Sequence, residues 1–236
     1  MEFRTIRAAA DAAGASFTLS EGTWLDAEEV RVLGCLVEKE AATPDYYPMT
    51  LNALVNACNQ KSSRNPVVSY TDQDVLGALQ RLQDKGISRR ITGSASRVPK
   101  YRHIFSEAFA LTEPQRTALC ILMLRGPQTV GEVRQRSGRI YEYSSLNEVQ
   151  EALEDLAGRE TQRLVLQLVR RPGEKEPRYA HLISGPVSSD ALSEPQPAAP
   201  RRSSAVDGLK GEVSDLREQV EALRAEFETF REQFTS

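Results

Sequence analysis

The stretch TDQDVLGALQRLQDKGISRRITGSASRVPKYRH, residues 71–103, decides the reading of this chain, because its pattern occurs twice. Val75, Leu79 and Leu82 recur at helical spacing behind Thr71, and Gly86 is a suitable helix stop. Two short extended runs follow, ISRRITGS and RVPKYRHI, around a turn at Gly93. The second copy is SLNEVQEALEDLAGRETQRLVLQLVRRPGEKEPRYAH, residues 145–181. There Val149, Leu153 and Leu156 form the helical face, and Pro172-Gly173 supplies the turn. Tyr101 and His103 fall in register with Tyr179 and His181. A helix feeding a basic hairpin is the last third of a winged helix.

Upstream of each copy lie two further helix starts in the same order. Asp26 and Glu29 form a capping box with Leu25 and Val30 as a staple, and Thr112 with Gln115 repeats the box 86 residues later. Pro114 falls in that helix's first turn, where a missing N–H costs little. Thr50 caps the second helix of the first unit, and Thr129 with Glu132 caps its counterpart. The expected fold is therefore mostly α with small β-hairpin wings (α+β): two tandem winged-helix domains, at 24–109 and 110–185. Each is large enough to bury a small core. Residues 1–23 read as a mobile extension and 186–205, rich in Pro, Ser and Ala, as a disordered linker.

Residues 206–236 carry a separate signal. Val206, Val213, Val220, Phe227 and Phe234 fall at a, and Leu209, Leu216, Leu223 and Phe230 at d, of an unbroken heptad. The e positions are cationic (Lys210, Arg217, Arg224, Arg231), and Glu212 and Glu226 stand at g, which favours a parallel pair. The expectation is a dimerising coiled coil, with Val213, Leu216, Val220, Leu223, Phe227 and Phe230 at its seam. An amphipathic helix packed on the same chain is the alternative.

Charge bounds the function. The net charge of -3 comes from the C-terminal segment, since each repeat holds 11 basic and 10 acidic side chains. Neither repeat has the overall basic balance that would by itself argue for nucleic acid. No P-loop, dinucleotide fingerprint, HExxH, paired CxxC or nucleophile elbow is present, so no enzyme, cofactor or metal site is expected. No apolar run reaches the ~20 residues of a membrane helix, and nothing reads as a signal peptide, so the cytoplasm is the expected location. Cys35, Cys58 and Cys120 lack metal-ligand spacing and read as small buried hydrophobes. His103 and His181, duplicated in register, read as part of the fold.

Two stretches carry the chemistry of binding. The run NACNQKSSRNPV, residues 56–67, offers Asn59, Gln60, Lys61 and Arg64 between the second and third helices. Amides and cations suit phosphates and base edges, so it reads as a DNA-facing turn. A loop whose amides satisfy its own backbone is the competing reading. The first hairpin has Arg89, Arg90, Arg97, Lys100 and Arg102 and no acid. Basic hairpins suit phosphate contact, although cations also guard a strand edge against pairing. The third helices point the other way. The second one displays Glu148, Glu151, Glu154 and Asp155, which phosphates repel.

The run NALVNACNQKSSRNPV, residues 52–67, resembles the signature of the YceH-like family of bacterial proteins. Glu38, Thr43-Pro44, Tyr47-Pro48, LMLRGPQTVGEVRQRSGR from Leu122 and PRYAHLISG from Pro177 are similar to the same family. The resemblance covers about 25–185 and implies tandem winged helices with a C-terminal heptad helix. It implies no activity. The expected function is DNA binding by a homodimer through the first repeat and its hairpin, as a regulator or nucleoid-associated factor. The alternative is a protein–protein scaffold.

Overall fold

The helix starts read from the sequence are the ones the chain uses. The architecture comes from a computed structural model that describes residues 23–92, 98–160, 162–170 and 172–187. In the first half, Asp26 opens α1 (Ala27–Ala42) with the expected capping box, and Thr50 accepts from Ala53 N–H to open α2 (Leu51–Cys58). Thr71 and Asp74 form a box at α3 (Asp72–Asp84). A 3-10 turn (Pro44–Tyr46) and a two-residue strand β1 (Met49–Thr50) join α1 to α2. Strands β2 (Ser88–Ile91) and β3 (Lys100–His103) close the unit, and α4 (Phe105–Ala108) leads out of it. The strand order is β1-β3-β2, with Arg89 opposite Arg102 and Met49 opposite Tyr101.

The second half repeats this plan. Thr112 and Thr129 open α5 (Glu113–Arg125) and α6 (Val130–Ser137) with full capping boxes. At α7 (Leu146–Gly158) Ser145 accepts from Glu148 N–H, but the Glu148 carboxylate goes to Ser144 N–H and Tyr141 OH instead of closing a box. Strands β4 (Val165–Gln167) and β5 (Tyr179–His181) pair antiparallel. A single bridge between Gln128 and Tyr179 stands where β1 stands in the first half. Among the described residues there are thus seven α-helices and two small antiparallel sheets, an α+β fold.

The two halves are not separate bodies. They lie in one compact unit and share one hydrophobic core. Sequence periodicity gave α1 one apolar face, yet Glu29 through Val37 are all buried, as are Thr117 through Leu124 of α5. Each is covered on every side, α1 by α5, α2 and α3, and α5 by α1, α6 and α7. Their crossing sits at Gly34 and Cys120, positions separated by the repeat offset of 86. The Cys120 thiol donates to Gly34 C=O at 3.4 Å. A Cβ at Gly34 would fall 2.8 Å from Leu124 Cδ2, so the missing side chain is what lets the helices approach. Equivalent positions therefore meet at the centre, as across a pseudo-two-fold axis.

Further ties join the halves. Leu25 N–H donates to Ile183 C=O at 3.0 Å, and the Trp24 ring fills the space over Gly185. Glu40 on α1 lies 2.9 Å from His103 Nε2 and 3.3 Å from Arg116 of α5. Both histidines sit in the frame. His103 Nδ1 accepts from Phe105 N–H, and burial pushes His181 down to about 4, leaving it neutral. The three cysteines are buried and free. No helix among the described residues is long and apolar enough to cross a membrane. The extension at 1–22, the stretch 188–205 and the heptad at 206–236 lie outside the described residues.

Candidate nucleic-acid interface

The polar run after α2 folds inward. Arg64 is 6% exposed. Its Nε donates to Ala57 C=O at 3.1 Å, and its two terminal nitrogens reach the Glu38 carboxylate at 3.0 and 2.5 Å. It also donates to Ser63 C=O and Gln60 Oε1. Burial alone would raise the Glu38 pKa, but the Arg64 guanidinium outweighs it and holds the carboxyl below its usual range. Arg31 adds a second guanidinium, donating to Cys58 C=O and Pro66 C=O. Asn59 pairs with Tyr70 twice, accepting from its N–H at 2.7 Å and donating to its C=O at 2.8 Å.

These bonds correct the DNA-facing reading of the loop. Arg64, Asn59 and Gln60 spend their polar atoms on the chain itself, because a buried guanidinium needs a partner for its charge and for its donors. Arg64 does not share a surface with the hairpin. Of the four loop candidates, Lys61 is the one left exposed. The loop's outer end instead clasps the second half. Asn65 N–H donates to Leu124 C=O at 2.8 Å, and Arg125 donates to Ser63 Oγ at 2.6 Å.

The first hairpin behaves differently. Arg89 and Arg90 are exposed, and no carboxylate of the described residues pairs with either. Lys100 is half-buried beside them. Tyr101 and His103 point into the core, so Lys100 and Arg102 face outward with Arg89 directly across from Arg102. Arg102 is paired with Glu107 at 2.8 Å. Arg97 lies outside the described residues. The structure thus brings Arg89, Lys100 and Arg102 to one face of the hairpin, sets Arg90 on the other face opposite Tyr101, and leaves Lys61 apart in the α2–α3 loop.

In the second hairpin Arg163, Arg170 and Lys175 are exposed, and Arg178 is engaged. Arg178 grips Glu132 at 2.6 Å and lies 3.7 Å from Glu174, and Arg136 donates to Gln128. The third helices are poor in free cations. Arg81 of α3 turns back to Glu28 at 2.7 Å and Asp26 at 3.0 Å. That leaves Asp72, Gln73, Leu76 and Gln80 on the outer face of α3. On α7, Asn147 donates to Glu151 and Gln150 donates to Glu154, so amides hold the acids at the surface.

A profile described as "Protein of unknown function, DUF480" matches residues 25–174, well over half of the chain. The chain belongs to this family. Among similar proteins, a UPF0502 protein of Solibacter usitatus is 48% identical over 197 residues, covering 82% of this chain and 93% of its own. Another from Vibrio atlanticus is 42% identical over 203 residues, covering 83% and 93%. A third, from Geobacter metallireducens, is 52% identical over 163 residues, covering 69% and 74%. The match agrees with the YceH-like resemblance and covers the first repeat and most of the second. None of these names carries an activity.

Sequence reasoning missed Glu38, Arg31 and Arg125 as partners of the loop. A signal was present: Glu38 continues the run VRVLGCLVEKE one turn after Gly34 and Cys35, so it follows the buried stripe of α1. An acid there needs a cation brought to it.

Proposed function

We propose that each half is a winged helix and that the protein binds DNA through the backbone phosphates, using the first hairpin. The observation that carries this reading is the difference between the two hairpins. The first presents Arg89 and Arg90 with no acid among its described residues, whereas the second sets Glu174 and Glu176 among its exposed cations and commits Arg178 to Glu132 and Glu174. A helix that reads bases needs exposed Arg, Lys, Asn or Gln; α3 turns its arginine to Glu28 and Asp26, its Gln80 donates to Asp84, and its Gln73 stands between Asp72 and Asp74. The binding is therefore of the phosphate-driven kind, with little base discrimination, in the manner of a nucleoid-associated protein. It is a binding role and not a catalytic one.

Dimerisation through the heptad at 206–236 would double the number of phosphate contacts. Deleting 206–236 is then expected to turn a dimer into a folded monomer in light scattering; an already monomeric full chain removes the dimeric part of the reading. The protein–scaffold reading is favoured by one observation, the outer face of α3, where Leu76 is 46% exposed between acids and amides. A gel shift with a mixed-sequence duplex at two salt concentrations separates the two. With roughly six phosphate contacts per dimer, affinity should fall about a thousand-fold between about 50 and 200 mM salt. No shift at the lower salt would reject DNA in favour of the scaffold.

A further inference from the structure

The second half has an open groove of about 380 Å³ where α6, α7 and the β4–β5 hairpin meet. Its floor is apolar, built from Val130, Leu146, Pro177 and Tyr179. Leu146 is 50% exposed at the first position of α7, where a surface helix ordinarily places a polar residue. The rim is amide and acid. Gln150 and Gln167 both donate to Tyr179 OH, at 2.9 and 3.1 Å, which holds the phenol at the back of the groove. Glu176 lines it directly, and Glu151 and Glu154 are held beside it by Asn147 and Gln150. Among the described residues no cation lines this groove.

The first hairpin has the opposite character. Ile91 is 39% exposed, directly after Arg89 and Arg90 and across from Lys100. It is an apolar knob with Arg89 and Lys100 on its own face and Arg90 on the other face of the edge strand β2, and the groove is an apolar seat with acids at its rim. We propose that the groove of the second half receives the first-half hairpin of a second copy of this chain, head to tail. The edge strand β2 enters edge-on: Ile91 seats on Leu146 and Pro177, and Arg89 and Arg90, on its two faces, meet the acids on either side, Glu151, Glu154 and Glu176.

Two consequences follow from the geometry. Each copy carries one hairpin and one groove on different halves, so the contact is heterologous and extends into a row instead of closing on a two-fold axis. The contact also uses Arg89 and Arg90, so a hairpin seated in a neighbour's groove is withheld from phosphate. The inference does not rest on the DNA reading, and it stands or falls by protein alone. A strand edge in a groove this size belongs to the small, transient class of interface, with charge setting partner choice and register.

The test uses the full chain and no nucleic acid. Full-length Ile91→Cys is mixed with full-length Asn147→Cys near 100 μM, on the order suited to a weak contact, under mild oxidation. The native cysteines are all buried. Both positions are exposed, so folding is not at risk, and circular dichroism checks it. The expected product is a disulfide joining the two different variants. Adding Arg89→Glu and Arg90→Glu to the hairpin partner should lower its yield about ten-fold. Putting Glu151→Arg and Glu154→Arg on the groove partner as well should restore it, as a charge exchange across one contact requires. Association through residues 206–236 alone would give dimers without this cross-link and would overturn the proposal. So would a cross-link indifferent to the charge changes, a failure of the exchange to restore it, or equal capture of a cysteine placed away from the hairpin, as in Arg134→Cys.

Discussion

Replacing Arg64 separates a structural cation from a DNA-contacting one. In the folded chain Arg64 binds Ala57 C=O, Ser63 C=O, Gln60 Oε1 and both oxygens of Glu38. Removing one partner of a buried ion pair costs roughly 3–5 kcal/mol. The Glu38 side chain keeps 15% exposure and Lys39 lies 3.9 Å away, so part of the stranded charge is relieved. Arg64→Ala should therefore lose about 3 kcal/mol, near the bottom of that range. For a chain of this size that is a fall in Tm of roughly 6–12 °C. Arg64→Lys should lose about 2 kcal/mol, because an ammonium cannot serve the fork to Glu38 and the Ala57 carbonyl together. The acid limb is fixed by sign. Glu38 titrates below its unfolded value, so the pair's contribution is full above about pH 4.3 and disappears as pH falls through the lower folded value. Urea unfolding at pH 7 and at pH 3.5 measures all of this, with the m-value as a check on two-state behaviour. If Arg64→Lys matches the wild type, and Arg64→Ala costs under about 1 kcal/mol while weakening DNA binding, then Arg64 is a surface cation and the reasoning is refuted.

Two further outcomes are expected. Burial lowers His181 from 6.5 to about 4, so its unfolded form binds the proton first. Stability should be complete above about pH 6.5 and decline towards pH 4, by roughly 2 kcal/mol between pH 7 and 5. His181→Leu should flatten that window in urea titrations, and an unchanged pH slope would contradict the assignment. Reversing Glu151 and Glu154 to Lys should leave DNA affinity unchanged or raise it in a fluorescence titration, since α7 is not a DNA-facing helix in this account. A clear loss of affinity would contradict this account, since it would show that the acids of α7 themselves contribute to binding.

What the sequence disclosed follows the range of the physics involved. Caps are contacts over three residues, so Asp26–Glu29, Thr112–Gln115 and Thr129–Glu132 could be read directly and form as expected. The hairpins, with Tyr101 and Tyr179 turned inward in register, were equally local. Glu148 departed because Ser144, four residues upstream, and Tyr141, seven upstream, offered it better donors. The joining of the halves was not legible. Two tandem units with similar caps give no sign that α1 and α5 pack on each other, except that Gly34 and Cys120 are small at the same repeat position. The polar loop was ambiguous for a related reason. Its residue types suit both a phosphate and a backbone carbonyl, and only the arrival of Glu38 from α1 decided for Arg64. Lys61, Arg89 and Arg90 have no such partner arriving from elsewhere in the described chain, and they remain at the surface.

The central claim, phosphate contact through the first hairpin, is tested most directly by the salt dependence of DNA binding in the Arg89→Ala, Arg90→Ala double variant. Both side chains are exposed and outside the core, so the variant should fold, as unfolding by urea can verify. Each phosphate contact contributes about 0.9 to the slope of log K against log salt. The account predicts weaker binding to every duplex tested and a slope smaller by about 2 for each hairpin engaged. A folded variant with the same affinity and the same slope as the wild type would contradict it.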